Sequence, residues 1–583
     1  MSVMNYLTRK PLSVDERNAV GGVSDIVAHL LFHRGITDRV SAEKFLAPDY
    51  DAHILDPFLL KDAEKAAQRI IHAIESGERI TLYSDYDADG IPGAVMWNDF
   101  FKRIGYANYS IYIPHRHNEG FGLNIEAVEQ LAAEGVKLLI TLDCGISDVT
   151  PVRRANELGI EVIITDHHEP PPELPAAFAI IDHKQDDCAY PDKNLCGSAV
   201  GYKLIQAVIK KGIPWKAGHE KWFLDMVGIA TLSDMVPLTG ENRIFAYYGL
   251  SVLRKSPRKG LMKLLSKLKM SQPHLTEDDI AFMITPRINA ASRMGVPMDA
   301  FKLLTAENDE DAKQYADHLD EINNERKGIV AALVKEVKKI VTERYEVPPR
   351  AIVLGNPDWK PSLLGLVANT CAEEFDRPVF LWGRDGDNVI KGSCRSEGTS
   401  NIVEIMRGVP AGAFIQFGGH KHSGGFAVDN EQVHFLEKHL NESAEKIHDK
   451  KNAASGGEKS PEDFDGEYVD MELSLDKVDW RLQEDIDRLA PFGTGNSKPM
   501  FMFKKVKPSS IRKFGKTQGH VEVGFKRSNG TPLAAIAFFA ADQEWVKVLE
   551  GDTEKLIDLV ASIEKSMFRG RKELRLRIVD VII

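Results

Sequence analysis

Apolar residues along the chain follow two rhythms. Between residues 80 and 182, five short runs rich in β-branched residues, ITLY (80–83), SIYI (110–113), KLLITL (137–142), EVIIT (161–165) and FAII (178–181), are bounded by Gly, Asp or Pro and alternate with stretches of helical spacing. Strands alternating with helices predict a parallel sheet covered on both faces, with ligands at the carboxyl ends of its strands. From 309 to 345 the spacing is helical with few breakers, which predicts one long connecting helix. A second α/β unit opens at AIVLG (351–355) and runs to about residue 441. The polar, Gly- and Ser-containing stretch 441–467 predicts a linker. Beyond it, runs such as HVEVGF (520–525) and LRLRIVDVII (574–583) predict an all-β barrel.

Composition adds exclusions. With 583 residues, 43% hydrophobic and 27% charged, the chain is neither disordered nor collagen-like and holds several folding units. No apolar run reaches the roughly 18 residues of a membrane span, and the N-terminus lacks the apolar core of a signal peptide, so a cytoplasmic protein is expected. Five scattered cysteines predict reduced thiols, not disulfides or structural zinc. The formal charge of −12 speaks against a polyanionic partner, but residues 501–583 carry 16 Lys and Arg against 10 Asp and Glu, a local +6.

Candidate chemistry clusters where the strands end. YSDYDADG (83–90) sets Asp85, Asp87 and Asp89 in alternation directly after a strand. Carboxylates this close repel one another unless a cation is shared among them, although a solvated acidic loop has the same pattern. A calcium loop is excluded, since its twelfth position would be Met96 and not Glu. Asp143 in TLDCGIS and Asp166-His167-His168 in TDHHEP follow two further runs, and Asp234 in TLSDMVPL follows another. One such carboxylate reads as a helix cap; three strand ends carrying them favour a metal centre. Oxygen donors mixed with imidazole suit Mn²⁺ well and Mg²⁺ less well. A pair of ions about 3.5–4 Å apart would perform in-line displacement at phosphorus, which points to phosphoester hydrolysis without identifying the ester.

These four motifs resemble, in order and spacing, those of the DHH phosphoesterase superfamily. IPHRHNEGFGL (113–123), TPRINAASRMG (285–295), GSCRS (392–396), FGGHKHSGGFAV (417–428) and APFGTGNSKPMF (490–501) are similar to successive motifs of its RecJ branch of single-strand-specific 5′→3′ exonucleases. The resemblance implies an α/β multidomain protein: a helical segment (1–55), a parallel-sheet DHH catalytic domain (56–255), a helical connector (256–345), a DHH-associated α/β domain (346–441), a linker (442–467) and an OB-fold nucleic-acid-binding domain (468–583).

It further implies Asp85, Asp87, Asp143, His167, His168 and Asp234 as ligands of two Mn²⁺ or Mg²⁺ ions, with Asp143 the bridge and Asp89 and Asp166 supporting the catalytic loop. Arg287 and Asn289 match positions at the scissile phosphate, and Arg287 reads equally well as one half of an interdomain salt bridge. Arg116, Ser393 and Arg395 match a pocket for the DNA 5′ end. Phe121 matches a base-stacking aromatic, while core packing is the ordinary use of Phe. Gly418 and Gly419 match a phosphate-approaching loop, or form a plain tight turn, and His420 would face the metal centre. Single-stranded DNA is the implied substrate, and single-strand-binding protein and a RecQ-type helicase the implied partners. The chain departs from the usual pattern at Tyr83-Ser84, Ser292, Cys394 and 423–425 without losing an implied ligand. Alternatives are an oligonucleotide or cyclic-dinucleotide phosphodiesterase of the same superfamily, which the OB tail disfavours, and a non-catalytic single-strand-binding replication subunit, which the intact ligand positions disfavour.

Overall fold

The computed structural model describes residues 5–384, 389–396, 398, 400–454, 466–552, 554–568 and 571–583. A short strand β1 (Tyr6–Thr8) precedes the sheet that the five apolar runs build: β2 (Ile80–Ser84), β3 (Tyr109–Tyr112), β4 (Leu138–Leu142), β5 (Glu161–Thr165) and β6 (Ala179–Ile181). All neighbours are parallel, in the order β3-β2-β4-β5-β6. Alternate side chains enter two cores. Leu82, Ile140, Leu142 and Ile163 pack with the helices Ala63–Glu75, Gly90–Ile104 and Gly197–Lys210, and Tyr83, Leu139, Val162 and Ile164 with the helices Ile125–Ala133 and Val149–Glu157. The chain leaves β2 toward β3 on one side and returns to β4 on the other. The crevice where a doubly wound sheet binds its ligand therefore opens at the carboxyl ends of β2 and β4, beside Asp85 and Asp143.

The expected long helix spans Asp309–Arg344, 36 residues capped by the Asn308 side chain and about 54 Å long. Its first half packs against the helices Lys259–Lys267, Thr285–Met294 and Met298–Thr305, while Val337 and Val341 near its end enter the core of the second unit. That unit is a mixed sheet, order β10-β11-β9-β8-β7, of β7 (Ile352–Gly355), β8 (Val379–Arg384), β9 (Ile390–Arg395), β10 (Gln416–Gly419) and β11 (Ser423–Val428).

The predicted linker needs correction. The helix Val433–Ala454 runs through its first half, because Leu436, Leu440, Ala444 and Ile447 form a stripe at helical spacing that packs into the second unit's core. Residues 455–465 of that linker lie outside the described residues.

The C-terminal unit holds β12 (Glu467–Val469), β13 (Met471–Glu472), β14 (Phe501–Val506), β15 (Pro508–Phe514), β16 (His520–Lys526), β17 (Pro532–Ala537), β18 (Ile557–Phe568) and β19 (Arg571–Ile582). Seven of them form one sheet, β13-β14-β18-β19-β17-β16-β15, and the helices Trp480–Asp487 and Glu544–Gly551 accompany it, so the unit is not purely β. The N-terminal helical segment packs on this unit. β1 pairs in parallel with β12, and Leu12, Val27, Leu30 and Leu31 share a core with Phe501, Phe503 and Val521. No helix among the described residues is long and apolar enough to cross a membrane.

Candidate metal centre and anion pocket

Each carboxylate at the sheet edge is placed by the same device. The amides of Asp85, Asp143 and Asp166 donate to the carbonyls of Leu142, Thr165 and Ile181 at 3.0, 3.0 and 3.2 Å, extending the parallel ladder one residue beyond each strand. Three acidic side chains thereby project side by side from a rigid edge. Asp143 takes a left-handed backbone (φ 63°), and its carboxylate abuts Gly197, where a Cβ would collide with it. Asp234 enters from the end of the helix Leu224–Ser233.

Donor atoms converge in three overlapping groups, Asp85–Asp87–Asp143, Asp143–His167–His168 and Asp89–His167–Asp234, each with its atoms within 4.8 Å of one another. His167 Nε2 lies 3.2 Å from Asp143 Oδ1, and its Nδ1 3.7 Å from Asp234 Oδ2. Oδ1 of both Asp85 and Asp143 is buried without a hydrogen-bond partner, the state expected of an oxygen aimed at a cation. The residues present thus fit a divalent pair.

Asp166 and Asp89 are used differently. Asp166 accepts the amides of Ile146, His167 and His168 and pairs with His168 Nδ1 at 2.7 Å, leaving Nε2 of that imidazole free for an ion. Asp89 accepts the Gly197 and Ser198 amides at 2.6 and 2.7 Å, fastening the first turn of the helix Gly197–Lys210 to the loop. Asp87 accepts the amides of Asp89 and Gly90, and Asn289 Oδ1 accepts that of Ala88 at 2.9 Å, so Asn289 holds the acidic loop in place.

Electrostatics match a site built for cations. Burial, then neighbouring aspartates, raise the Asp85 and Asp143 carboxyls well above the usual range and hold Asp89 up to about 6 and Asp234 up to about 8. Burial and the neighbouring His168 push His167 down to about 3, keeping it neutral. His168 is held up to about 9 against its burial by its bond to Asp166.

A second cluster has the opposite sign. Arg116, over the ring of Tyr86 at 5.0 Å, Arg293, Arg326 and Arg395 are half-buried, and no carboxylate ion-pairs with any of them among the described residues. Burial, then the charges of Arg116 and Arg326, with a contribution from Arg395, push Arg293 down to about 9. Arg293 among three other guanidiniums, none of them ion-paired to a carboxylate, suits an anion. They come from the loop after β3, the helix Thr285–Met294, the long helix and β9. Arg293 joins the first two units, donating to the Ser362 carbonyl at 2.7 Å while the Ser362 hydroxyl donates to the Arg293 carbonyl at 3.1 Å. Ser393 sits beside Arg395 on β9, facing Gly365.

Other expected residues fall elsewhere. The Arg287 guanidinium is buried, donating twice to Asp320 (3.0 and 2.8 Å) and once to the Met283 carbonyl (2.6 Å); both partners lie within the 256–345 connector, so the pair is a salt bridge but not an interdomain one. Phe121 is half exposed, edge-on to His168 with centroids 5.4 Å apart. Gly418, Gly419 and His420 lie on the exposed β10–β11 hairpin, and no contact among the described residues ties them to the carboxylates.

Known proteins resolve the family. Three family models match: the DHH family N-terminal domain over residues 79–231, the DHHA1 domain over 349–448 and the RecJ OB domain over 469–580. The chain is 32% identical to the single-stranded-DNA-specific exonuclease RecJ of Bacillus subtilis, covering 96% of this chain and 68% of that protein. Its likeness to the Haemophilus influenzae protein of the same name is 30%, covering 91% and 92%. The chain belongs to the RecJ family. Its fold also superimposes on the crystal structure of Thermus thermophilus RecJ in complex with Mn²⁺, with TM-score 0.78 and 25% identity over 99% of this chain and 78% of that one.

Within this RecJ-family site, sequence reading missed Arg293 and Arg326. Arg293 stands one helical turn after Asn289, the spacing of a shared face. Asn323, three residues before Arg326, occupies a buried position of the long helix with both side-chain polar atoms unpartnered, a polar break in its apolar stripe. Also missed was an aromatic cluster on the C-terminal unit. Phe539 is 86% exposed with φ 56°, its amide donates to His520 Nδ1, Phe514 and Phe538 gather around His520, and Arg577 lies 3.9 Å over the Phe538 ring.

Proposed function

We propose that the chain is a divalent-metal-dependent, single-strand-specific 5′→3′ DNA exonuclease that releases 5′-mononucleotides in recombination and repair. The observation that carries this reading is the adjacency of two opposed clusters: carboxylates and imidazoles suited to two cations, and unmatched arginines suited to an anion, with Asp87 in the field of Arg293.

Asp85, Asp87, Asp143, His167, His168 and Asp234 would hold two Mn²⁺ or Mg²⁺ ions. Such ions supply Lewis acidity and lower the pKa of water enough to make a nucleophile at neutral pH. Asp166 fixes the orientation and protonation of His168, and Asn289 and Asp89 hold the loop that carries Asp85 and Asp87. Arg116, Arg293, Arg326 and Arg395, with Ser393, would take a terminal 5′ phosphate, registering the scissile bond one nucleotide away over the carboxylates. Phe121, beside His168, would stack on a base near the reacting phosphate. A terminal phosphate gripped from both units favours ends over internal sites. The exposed Phe539, with the half-buried aromatics beside it, and the +6 charge of residues 501–583 would retain the strand between cuts. Single-strand-binding protein and a RecQ-type helicase, in the cytoplasm, are the partners and setting proposed from the family resemblance.

A 3′-labelled single strand, with and without a 5′ phosphate, tests this. With Mn²⁺ the expected result is a ladder shortening from the 5′ end, absent in EDTA and in Asp143→Ala. A protein that binds the strand but never cuts it with any divalent ion would instead be a binding subunit.

A further inference from the structure

The APFGTGNSKPMF segment has no part in the chemistry above, yet it touches the residues that follow Asp234. Its loop 491–496 leaves the C-terminal unit and lies along the residues that follow Asp234. The Thr494 carbonyl accepts the Leu238 amide at 2.7 Å. Gly495 has φ 73°, and a Cβ there would stand 3.3 Å from Pro237 Cβ; on Gly493 it would stand 2.9 Å from Leu238 Cδ1. Only residues without side chains permit so close an approach.

The loop is fixed from every side. Gly493 and Asn496 exchange backbone hydrogen bonds at 2.9 and 3.1 Å, and the fully buried Asn496 donates to the Leu489 and Pro491 carbonyls and accepts Arg34 Nε at 3.0 Å. Arg243, nine residues beyond Asp234, donates to the Leu489 and Ala490 carbonyls and to that of Phe45, lying 3.4 Å over the Phe45 ring. Asn242 and the Thr239 amide both donate to the Pro237 carbonyl.

Asp234 is therefore held on two sides. Its amide donates to Ala230 at 2.9 Å, and four residues later the chain is pinned to the C-terminal unit. Between them Met235 is exposed and takes a left-handed backbone, φ 59°, a conformation that persists only where its surroundings impose it. We infer that the loop 491–496 positions Asp234, so that the seat of this loop against Pro237 and Leu238 sets the affinity of the Asp234-side ion. This rests on the reading of Asp234 as a ligand. By linkage, anything that shifts the seat of this loop shifts ion occupancy, and the reverse.

The test is calorimetric titration of the full chain with Mn²⁺, alongside thermal melts to establish folding. Asp234→Asn identifies which class of ion depends on this carboxylate. Gly495→Ala and Gly493→Ala are expected to weaken that same class about tenfold, the usual scale for groups that orient a ligand, and to leave the other class unchanged. Asn496→Ala, which loosens the loop without adding bulk, should do likewise and stands in if a glycine variant fails to fold. Lys498→Ala removes an ion pair between the same unit and Asp278 away from the loop and should change neither class. Folded loop variants with unaltered Mn²⁺ binding would overturn the inference, as would an equal loss in Lys498→Ala. If Asp234→Asn itself binds Mn²⁺ normally, it is the ligand reading that falls.

Discussion

The carboxylates of the cleft come mostly from the carboxyl ends of adjacent strands in one sheet, whereas the four guanidiniums come from a loop, two helices and a strand of another unit. In the first cluster, backbone hydrogen bonds to neighbouring strands set the spacing, and the repulsion is contained by a rigid edge. In the second, position depends on how the long helix and two units pack. A cation site can thus be preformed by a single fold, while an anion site assembled from several parts reports whether those parts have closed. Substitutions should separate the two plans.

Asp143→Ala should have the largest effect, lowering kcat at least about 1,000-fold, roughly 4 kcal/mol. The same change relieves buried repulsion, so without metal the variant should melt higher than the parent. A lower metal-free melting temperature would show that the cluster is not strained.

Arg287→Ala should act on the frame. Breaking its buried pair with Asp320 should cost about 3 kcal/mol of stability by denaturant titration, with Asp320→Ala costing a similar amount. A selective loss of activity at unchanged stability would instead return Arg287 to the phosphate.

Metal addition sharpens the contrast. Burial, with Asp89 and Asp87 nearby, raises Asp234 from 3.8 to about 8. A raised folded-state pKa means that this contribution to stability is complete below the ordinary value and lost as pH rises through about 8. Mn²⁺ should therefore raise the melting temperature more at pH 8.5 than at pH 6, as measured by scanning calorimetry.

Arg293→Ala and Arg395→Ala should each lower kcat/KM about 10- to 30-fold on a 5′-phosphorylated strand, one charge-assisted hydrogen bond apiece, and far less on a 5′-hydroxyl strand. Equal losses on both would place the phosphate elsewhere. The smallest effect belongs to Phe539→Ala, a rise in KM of about fivefold, near 1 kcal/mol for one stacked base, confined to strands long enough to reach the C-terminal unit.

The same contrast explains what was legible beforehand. Runs such as KLLITL, each closed by an acidic residue, encode strand, strand end and ligand in a few consecutive positions, so the first sheet and its carboxylates follow from local pattern. Arg116 and Arg395 were reached through motif resemblance. Arg293 and Arg326 belong to helices whose packing decides which face meets the cleft, and no local spacing states that. Arg287 carries both of its readings still: its position in a motif suggests phosphate, and Asp320, 33 residues away on the long helix, holds it. The segment expected as a linker failed for a simpler reason. Its charged residues outnumber Ala444 and Ile447, whose apolar stripe becomes visible only with its start at Leu436 and Leu440.

The parallel pairing of Tyr6 with Glu467 has a consequence for biosynthesis. Residues 6–31 have their partners more than 450 residues downstream, so Leu12, Val27, Leu30 and Leu31 emerge from the ribosome before the core they will share with Phe501 and Phe503. At the usual elongation rate of about 5–20 residues per second, that interval is roughly 20–90 s. During it the catalytic unit can complete its sheet, while the helices of residues 14–46 keep their apolar faces uncovered. The nascent chain closes on itself only when its tail arrives.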